Sequence, residues 1–267
     1  MNGEIAQLVA LTCHGNAVLR DMRGERFFPG NSTCRFAEYV AFRDAESDKT
    51  LTATPDLWFD WIRQQQAKGL LLHQASLDDN RMTAGFAGGG GIWAIEAVMA
   101  DGTSDVWTSE WDIGDPSAPD GRIWRVDYFR HAGAPTRPHG MRNLSVVVAD
   151  FETALRDIRA FSIRHSGNEG FTSCFDSGLE ALNNADRHPG YHQDLYPPHT
   201  LSQKARGLLS AASAAWVFGG MGSWNDQGFD GDEQVEYDRV SAALYTIINE
   251  AIAVAASSAW PGSGIAD

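Results

Sequence analysis

The stretch IWAIEAVMADGTSDVWTSEWDI, Ile92 to Ile113, decides the fold class. Two runs of alternating apolar and polar residues flank Asp101-Gly102. An Asp-Gly pair in that setting predicts a hairpin, because the tight turn needs residues that tolerate positive φ. Ile123 to Phe129 follows an Asp- and Pro-rich loop and supplies a third strand. Short, even links between such runs point to antiparallel pairing.

Upstream, Leu70 to His73 reads as a further strand, and a helix precedes it. Thr54 caps that helix, Pro55 takes its first position, Trp58, Trp61 and Ile62 share one face, and Gly69 follows the last turn. Cys34 to Arg43 alternates as a half-buried strand does, with a turn at Ser47-Asp48-Lys49. Ile5 to Thr12, a short apolar run, reads as the first strand.

Downstream, residues 131–142 carry Gly133, Pro135, Pro138 and Gly140 and read as a connector. Beyond them the period becomes helical. Phe151, Leu155 and Ile158 form one face; Phe175, Leu179 and Leu182 form another. Leu201, Ala205, Leu208, Leu209, Ala212 and Trp216 give a third. Val240, Leu244, Ile247, Ile248, Ala251 and Ala255 form the longest stripe. The expectation is an α+β fold: an antiparallel β-rich N-terminal half with one helix, then a helical C-terminal half. Residues 1–131 would form the β-rich region and 143–260 the helical one; sequence leaves open whether they share one core.

A net charge of −14 argues against binding phosphate backbones or anionic membrane surfaces. Half of that charge falls in residues 222–267, which hold eight acids and one base. Such a surface suits solubility and also a basic protein partner. Three cysteines without CxxC spacing describe neither a disulfide framework nor a zinc site, and buried free thiols are expected. The run from Ile5 to Leu11 is too short to span a bilayer and no basic segment leads into it, so a cytoplasmic location is expected.

Four stretches invite functional readings. Gly88-Gly89-Gly90-Gly91 lacks the lysine and following helix of a phosphate loop, so no nucleotide cofactor is expected. Asp226 to Gly231 places acids at two calcium-loop positions, but Gly228 and Tyr237 stand where ligands belong. A capping box of Asp230 and Glu233 at the start of the last helix accounts for those acids better. His188, His192 and His199 cluster with Asp194. Pro189-Gly190 breaks the helix that an i, i+4 metal pair would need, so no metal is expected there. The fourth stretch, Gly219 to Asp226, is the most distinctive; Trp224 in it either plugs a helix junction or anchors a contact.

No Gly-x-Ser-x-Gly or His-Glu-x-x-His element occurs. The leading expectation is therefore a non-catalytic cytoplasmic binding protein, in its most concrete form an immunity or antitoxin-like neutraliser of a basic toxin. Its contact residues would be Trp224, Asn225, Asp226, Asp230, Asp232 and Glu236, with Trp260 a further exposed aromatic. The alternative is a hydrolase, metal-dependent or not, with a site between sheet and helices. Its candidates are His188, His192, Asp194 and His199, joined by His14, His139 and Asp176; Cys174, with aromatic neighbours on both sides, reads as a buried thiol rather than a nucleophile.

Overall fold

The first apolar run is not a strand. In the computed structural model, which describes residues 1–22, 24–74, 80–135, 141–187 and 190–267, it lies inside the 17-residue helix α1 (Gly3–Leu19). Asn2 caps it, its side chain accepting the Ile5 N–H. Ile5, Ala6, Leu8, Val9, Ala10, Leu11 and Cys13 are all fully buried, which places apolar residues on every side of the helix. A helix enclosed on all faces shows no amphipathic stripe, and a short apolar run then looks the same as a buried strand.

Three polar residues of α1, Gln7, Thr12 and Asn16, are buried too, and each is satisfied. Gln7 donates to the Thr33 carbonyl (3.3 Å) and accepts from the Tyr128 hydroxyl (2.9 Å). Thr12 donates back to Leu8 (2.8 Å). Asn16 bonds the main chain of Leu70 through both its amide atoms. These bonds offset the desolvation of groups that would otherwise weaken the core.

Next come β1 (Ala37–Asp44), β2 (Thr50–Thr52), α2 (Pro55–Gln64), β3 (Ala67–Gln74), β4 (Trp93–Met99), β5 (Thr103–Ile113) and β6 (Trp124–Pro135). Cys34 sits in a short 3-10 turn, Ser32–Cys34, just before β1. The Asp101-Gly102 turn forms as expected: Gly102 has φ +86°, and Asp101 accepts the Thr103 N–H (2.9 Å) and hydroxyl (2.7 Å). The sheet order is β2-β1-β6-β5-β4-β3. Every neighbouring pair is antiparallel except β1 and β6, which run parallel, so the sheet is mixed rather than antiparallel throughout. The exception follows from the connections. After the β1–β2 hairpin, α2 carries the chain to the far edge at β3, pointing the same way as β2. Three reversals then return it to β6, aligned with β1.

β3 is an edge strand, yet its outer row of main-chain groups is paired. Asn16 bonds both polar groups of Leu70, and the Ser257 hydroxyl accepts the Leu72 N–H (2.8 Å) and donates to the Leu72 carbonyl (3.4 Å). Covering an edge in this way removes a template for pairing with other chains. The opposite edge, β2, is only three residues long.

The helical half comprises α3 (Leu144–Ile163), α4 (Glu169–Asn183), α5 (Gln203–Ala214) and α6 (Gly231–Ser257). All six residues of the long α6 stripe are buried. This helix is long and apolar enough to cross a membrane by composition, but 78% of its apolar window lies buried inside the fold. β6 extends to Pro135, so strand occupies the start of the stretch read as a connector; residues 136–140, His139 among them, lie outside the described residues. One hydrophobic cluster contains Leu8 of α1, Trp107 of β5, Phe151 of α3, Leu208 of α5 and Ile248 of α6. At its sheet side Phe42 stacks on Trp58 (4.6 Å) and Tyr128 (5.1 Å).

Candidate functional site

The loop from Gly190 to Thr200 is held against the segment before β1, and Asp194 is the point of attachment. Its carboxylate accepts the Ser32 N–H (2.7 Å) and the Ser32 hydroxyl. Its carbonyl accepts the Asn31 amide N–H (2.8 Å) and faces His14 Nε2 at 3.0 Å. The segment receiving it is itself braced. Asp56 accepts the N–H groups of Phe27 (2.8 Å) and Phe28 (2.9 Å), and the Asn31 side chain accepts from the Thr33 N–H and hydroxyl.

Ser32 Oγ also lies 2.8 Å from His192 Nδ1. A hydroxyl has one proton, and a carboxylate can only accept, so the Ser32 proton is directed to Asp194. His192 must then donate its Nδ1–H to Ser32. The result is a directed chain, His192 to Ser32 to Asp194, that fixes the imidazole tautomer and leaves Nε2 as the ring nitrogen with a lone pair. Burial pushes His192 below the ordinary histidine value, against the pull of the Asp194 charge. Burial lowers His14 likewise, opposed by its bond to the Asp194 carbonyl and by the charges of Asp194 and Asp56. Both rings are therefore neutral at neutral pH.

Ser32 and His192 form the polar wall of a cavity of about 280 Å³ between the sheet and the helical half. Its other walls are largely aromatic: Phe36, Trp111 at the end of β5, Trp124 at the start of β6, and Tyr191. The two indoles meet at 5.8 Å with planes 68° apart, and Tyr191 meets His192 edge-on at 5.0 Å.

Of the histidine-loop candidates the structure brings His192 and Asp194 together and adds His14. His199 is exposed, in a left-handed conformation (φ +65°), and takes no part. His188 lies outside the described residues. Asp176 is paired with Arg159. The Cys174 thiol is half-buried and raised by burial. Among the described residues no group of three or more His, Cys, Asp or Glu is placed to hold a metal ion. Ser32 was missed by sequence reasoning. Its signal was the polar run Asn31-Ser32-Thr33 directly after Pro29-Gly30, a turn rich in groups able to bond a neighbouring loop.

The acidic contact surface needs correction at its aromatic members. Trp224 is fully buried, donates to the Ser241 hydroxyl (2.7 Å), and packs against Phe161, Phe171, Phe175 and Tyr237. It is the junction plug, not a contact anchor. Trp260 is half-buried and lies against Gly69 of β3. Asn225 is half-buried and donates to the Arg81 carbonyl (2.7 Å). Asp226 closes a capping box with Ser223 around the Trp224–Asp226 turn. The box expected at Asp230 and Glu233 does not form: Asp230 occupies the cap position without a side-chain bond, and Gln234 accepts the Phe229 N–H instead (2.9 Å). Asp230 and Asp232 are exposed, whereas Glu236 pairs with Arg164, whose guanidinium holds the carboxyl below the usual carboxylate range.

Compared with models of protein families, with curated proteins and with solved structures, the chain matches none.

Proposed function

We propose that the protein is a small-molecule hydrolase whose reaction takes place in the aromatic cavity, with His192 as general base. The observation that carries this reading is the hydrogen-bonded chain from His192 through Ser32 to Asp194 at the cavity's polar wall. Orienting a neutral imidazole so that one nitrogen is committed and the other is a base is what proton abstraction near pH 7 requires. Nε2 would take a proton from water as its oxygen attacks an ester carbonyl carbon. The C–O bond to the alcohol then breaks, and the imidazolium returns the proton to the leaving oxygen. Water and ester give acid and alcohol, with no other reactant needed.

Acid release from acetate esters of aliphatic and aromatic alcohols, followed by pH-stat, tests the reading. His192→Ala should lower the rate by about a hundredfold or more, and Ser32→Ala, which frees the imidazole to rotate, should lower it less. No turnover of any ester by the folded protein, or full turnover by His192→Ala, would overturn it.

A second reading keeps the acidic surface as a docking site for a basic protein in the cytoplasm, of the immunity or antitoxin-like kind. It is favoured by Met221 and Val235, which are largely exposed in the stretch that also carries Asp230 and Asp232. Capture of a basic protein that weakens as salt rises, with slowed association for the triple variant Asp230→Asn, Asp232→Asn and Glu236→Gln, would support it. Unchanged association by that variant would remove it.

A further inference from the structure

The same cavity also limits what can enter it. We infer that its ligand is an uncharged, flat aromatic molecule bearing a hydrogen-bond donor or a reactive oxygen, such as a phenol or a phenyl ester. This rests on the reading of the cavity as the functional site and adds the substrate class.

Size comes first. At about 280 Å³ the cavity sits at the small end of ligand pockets, which run to roughly 1,000 Å³. It holds one small molecule rather than a peptide segment. Shape comes next. Trp111 and Trp124 stand at 68° to each other, so a planar ring lying along one indole presents its edge to the other. Stacked and edge-to-face contacts are the two arrangements that aromatic quadrupoles favour. At the mouth, Tyr191 is 76% exposed and Phe36 is 47% exposed. Large apolar rings left in water beside a cavity gain most when an apolar ligand covers them.

Charge decides between ligands of similar shape. No Lys, Arg, Asp or Glu lines the cavity, and burial lowers the pKa of the Met1 amino group at its wall to about 4, leaving it neutral, so an ion entering would lose hydration without gaining a counter-charge. A cation has a further obstacle. Aromatic faces can hold ammonium groups, but the Arg35 guanidinium already lies over the Phe36 ring at 5.2 Å and would repel one. An anion meets the opposite obstacle in the Asp194 carboxylate, one hydroxyl behind the wall, and in the net charge of −14. Neutral His192 remains as the polar contact: its Nε2 accepts from a phenolic O–H, or from water poised against an ester.

Calorimetric titration of the full chain with 2-naphthol, 2-naphthoate and a naphthyl trimethylammonium salt tests the inference. 2-Naphthol should bind, the two ions at least about tenfold more weakly. Trp124→Ala should weaken 2-naphthol about tenfold, while Trp124→Phe, which keeps a ring in place and guards against misfolding, should bind nearly as the native chain. Equal or tighter binding of either ion, no binding of 2-naphthol, or an affinity untouched by Trp124→Ala would overturn it. Ester turnover without 2-naphthol binding would leave the hydrolase standing and remove the aromatic class. Selective 2-naphthol binding without turnover would do the reverse.

Discussion

Asn16 and Leu70 are joined as two strands of a sheet would be: the Asn16 amide oxygen accepts the Leu70 N–H at 2.8 Å, and its nitrogen donates to the Leu70 carbonyl at 2.9 Å. A side chain from the central helix α1 thus stands in for a missing seventh strand. Ser257 of α6 repeats the arrangement two residues along, at Leu72. Between them the two helices hold β3 in register and close its edge.

Asn16→Leu keeps approximate volume but leaves a buried donor and a buried acceptor of Leu70 without partners. Each such orphan costs about 1–3 kcal/mol, so a loss of about 2–6 kcal/mol is expected in urea denaturation. Ser257→Ala should cost less, because its second bond is long at 3.4 Å. A change within about 0.5 kcal/mol, the range of ordinary surface substitutions, would show that the pair does not hold the edge.

Trp224→Phe tests the junction plug. The substitution leaves the fully buried Ser241 hydroxyl without its indole partner and opens space among Phe161, Phe171 and Phe175. A loss of about 2–4 kcal/mol is expected from the lost hydrogen bond and the cavity together. Unchanged stability would return Trp224 to the surface role that the sequence alone allowed.

Where the chain carried a local signal, a turn pair, a cap or a helical stripe, the sequence was legible. The Ile92–Ile113 hairpin, the N-terminal cap of α2 and the α6 stripe all form close to where their patterns place them, whereas α2 stops at Gln64 and Gly69, read as its stop, lies inside β3. The pattern failed at α1, where burial on every face erased the period. It also failed at β6, whose parallel contact with β1 depends on how far α2 carries the chain, a quantity with no local signature. The candidate site was partly legible for a similar reason. His192 and Asp194 were visible as a polar loop cluster, but Ser32 lies 160 residues from His192 in the chain, and only tertiary structure makes them neighbours. Trp224 could not be placed from sequence because a buried indole and a contact anchor obey the same composition rule.

Gly69→Ala should act through one neighbour. A Cβ at Gly69 would fall 2.1 Å from the Trp260 ring, so either the indole or β3 must move. Overpacking of this kind costs about 1–3 kcal/mol. In a Trp260→Ala background the same substitution should cost far less, and a double-mutant cycle reads the difference directly. Equal costs in the two backgrounds would mean that β3 is strained by something other than Trp260.

Acid stability should carry the signature of His14. Burial depresses its pKa in the folded chain more than Asp194 and Asp56 raise it, while the unfolded chain keeps the ordinary value near 6.5. Between those two values the unfolded state binds more protons, so stability rises with pH there. The contribution is fully present above about pH 6.5 and is lost as pH falls through the folded value. His192 is depressed for the same reason and adds with the same sign. His14→Gln retains a donor for the Asp194 carbonyl but cannot titrate. Its unfolding free energy should therefore fall less steeply than that of the native chain between about pH 7 and 5. A slope identical to the native one would mean that His14 protonates as readily in the folded chain as in the unfolded one. Its bond to the Asp194 carbonyl and the two nearby charges would then offset burial in full.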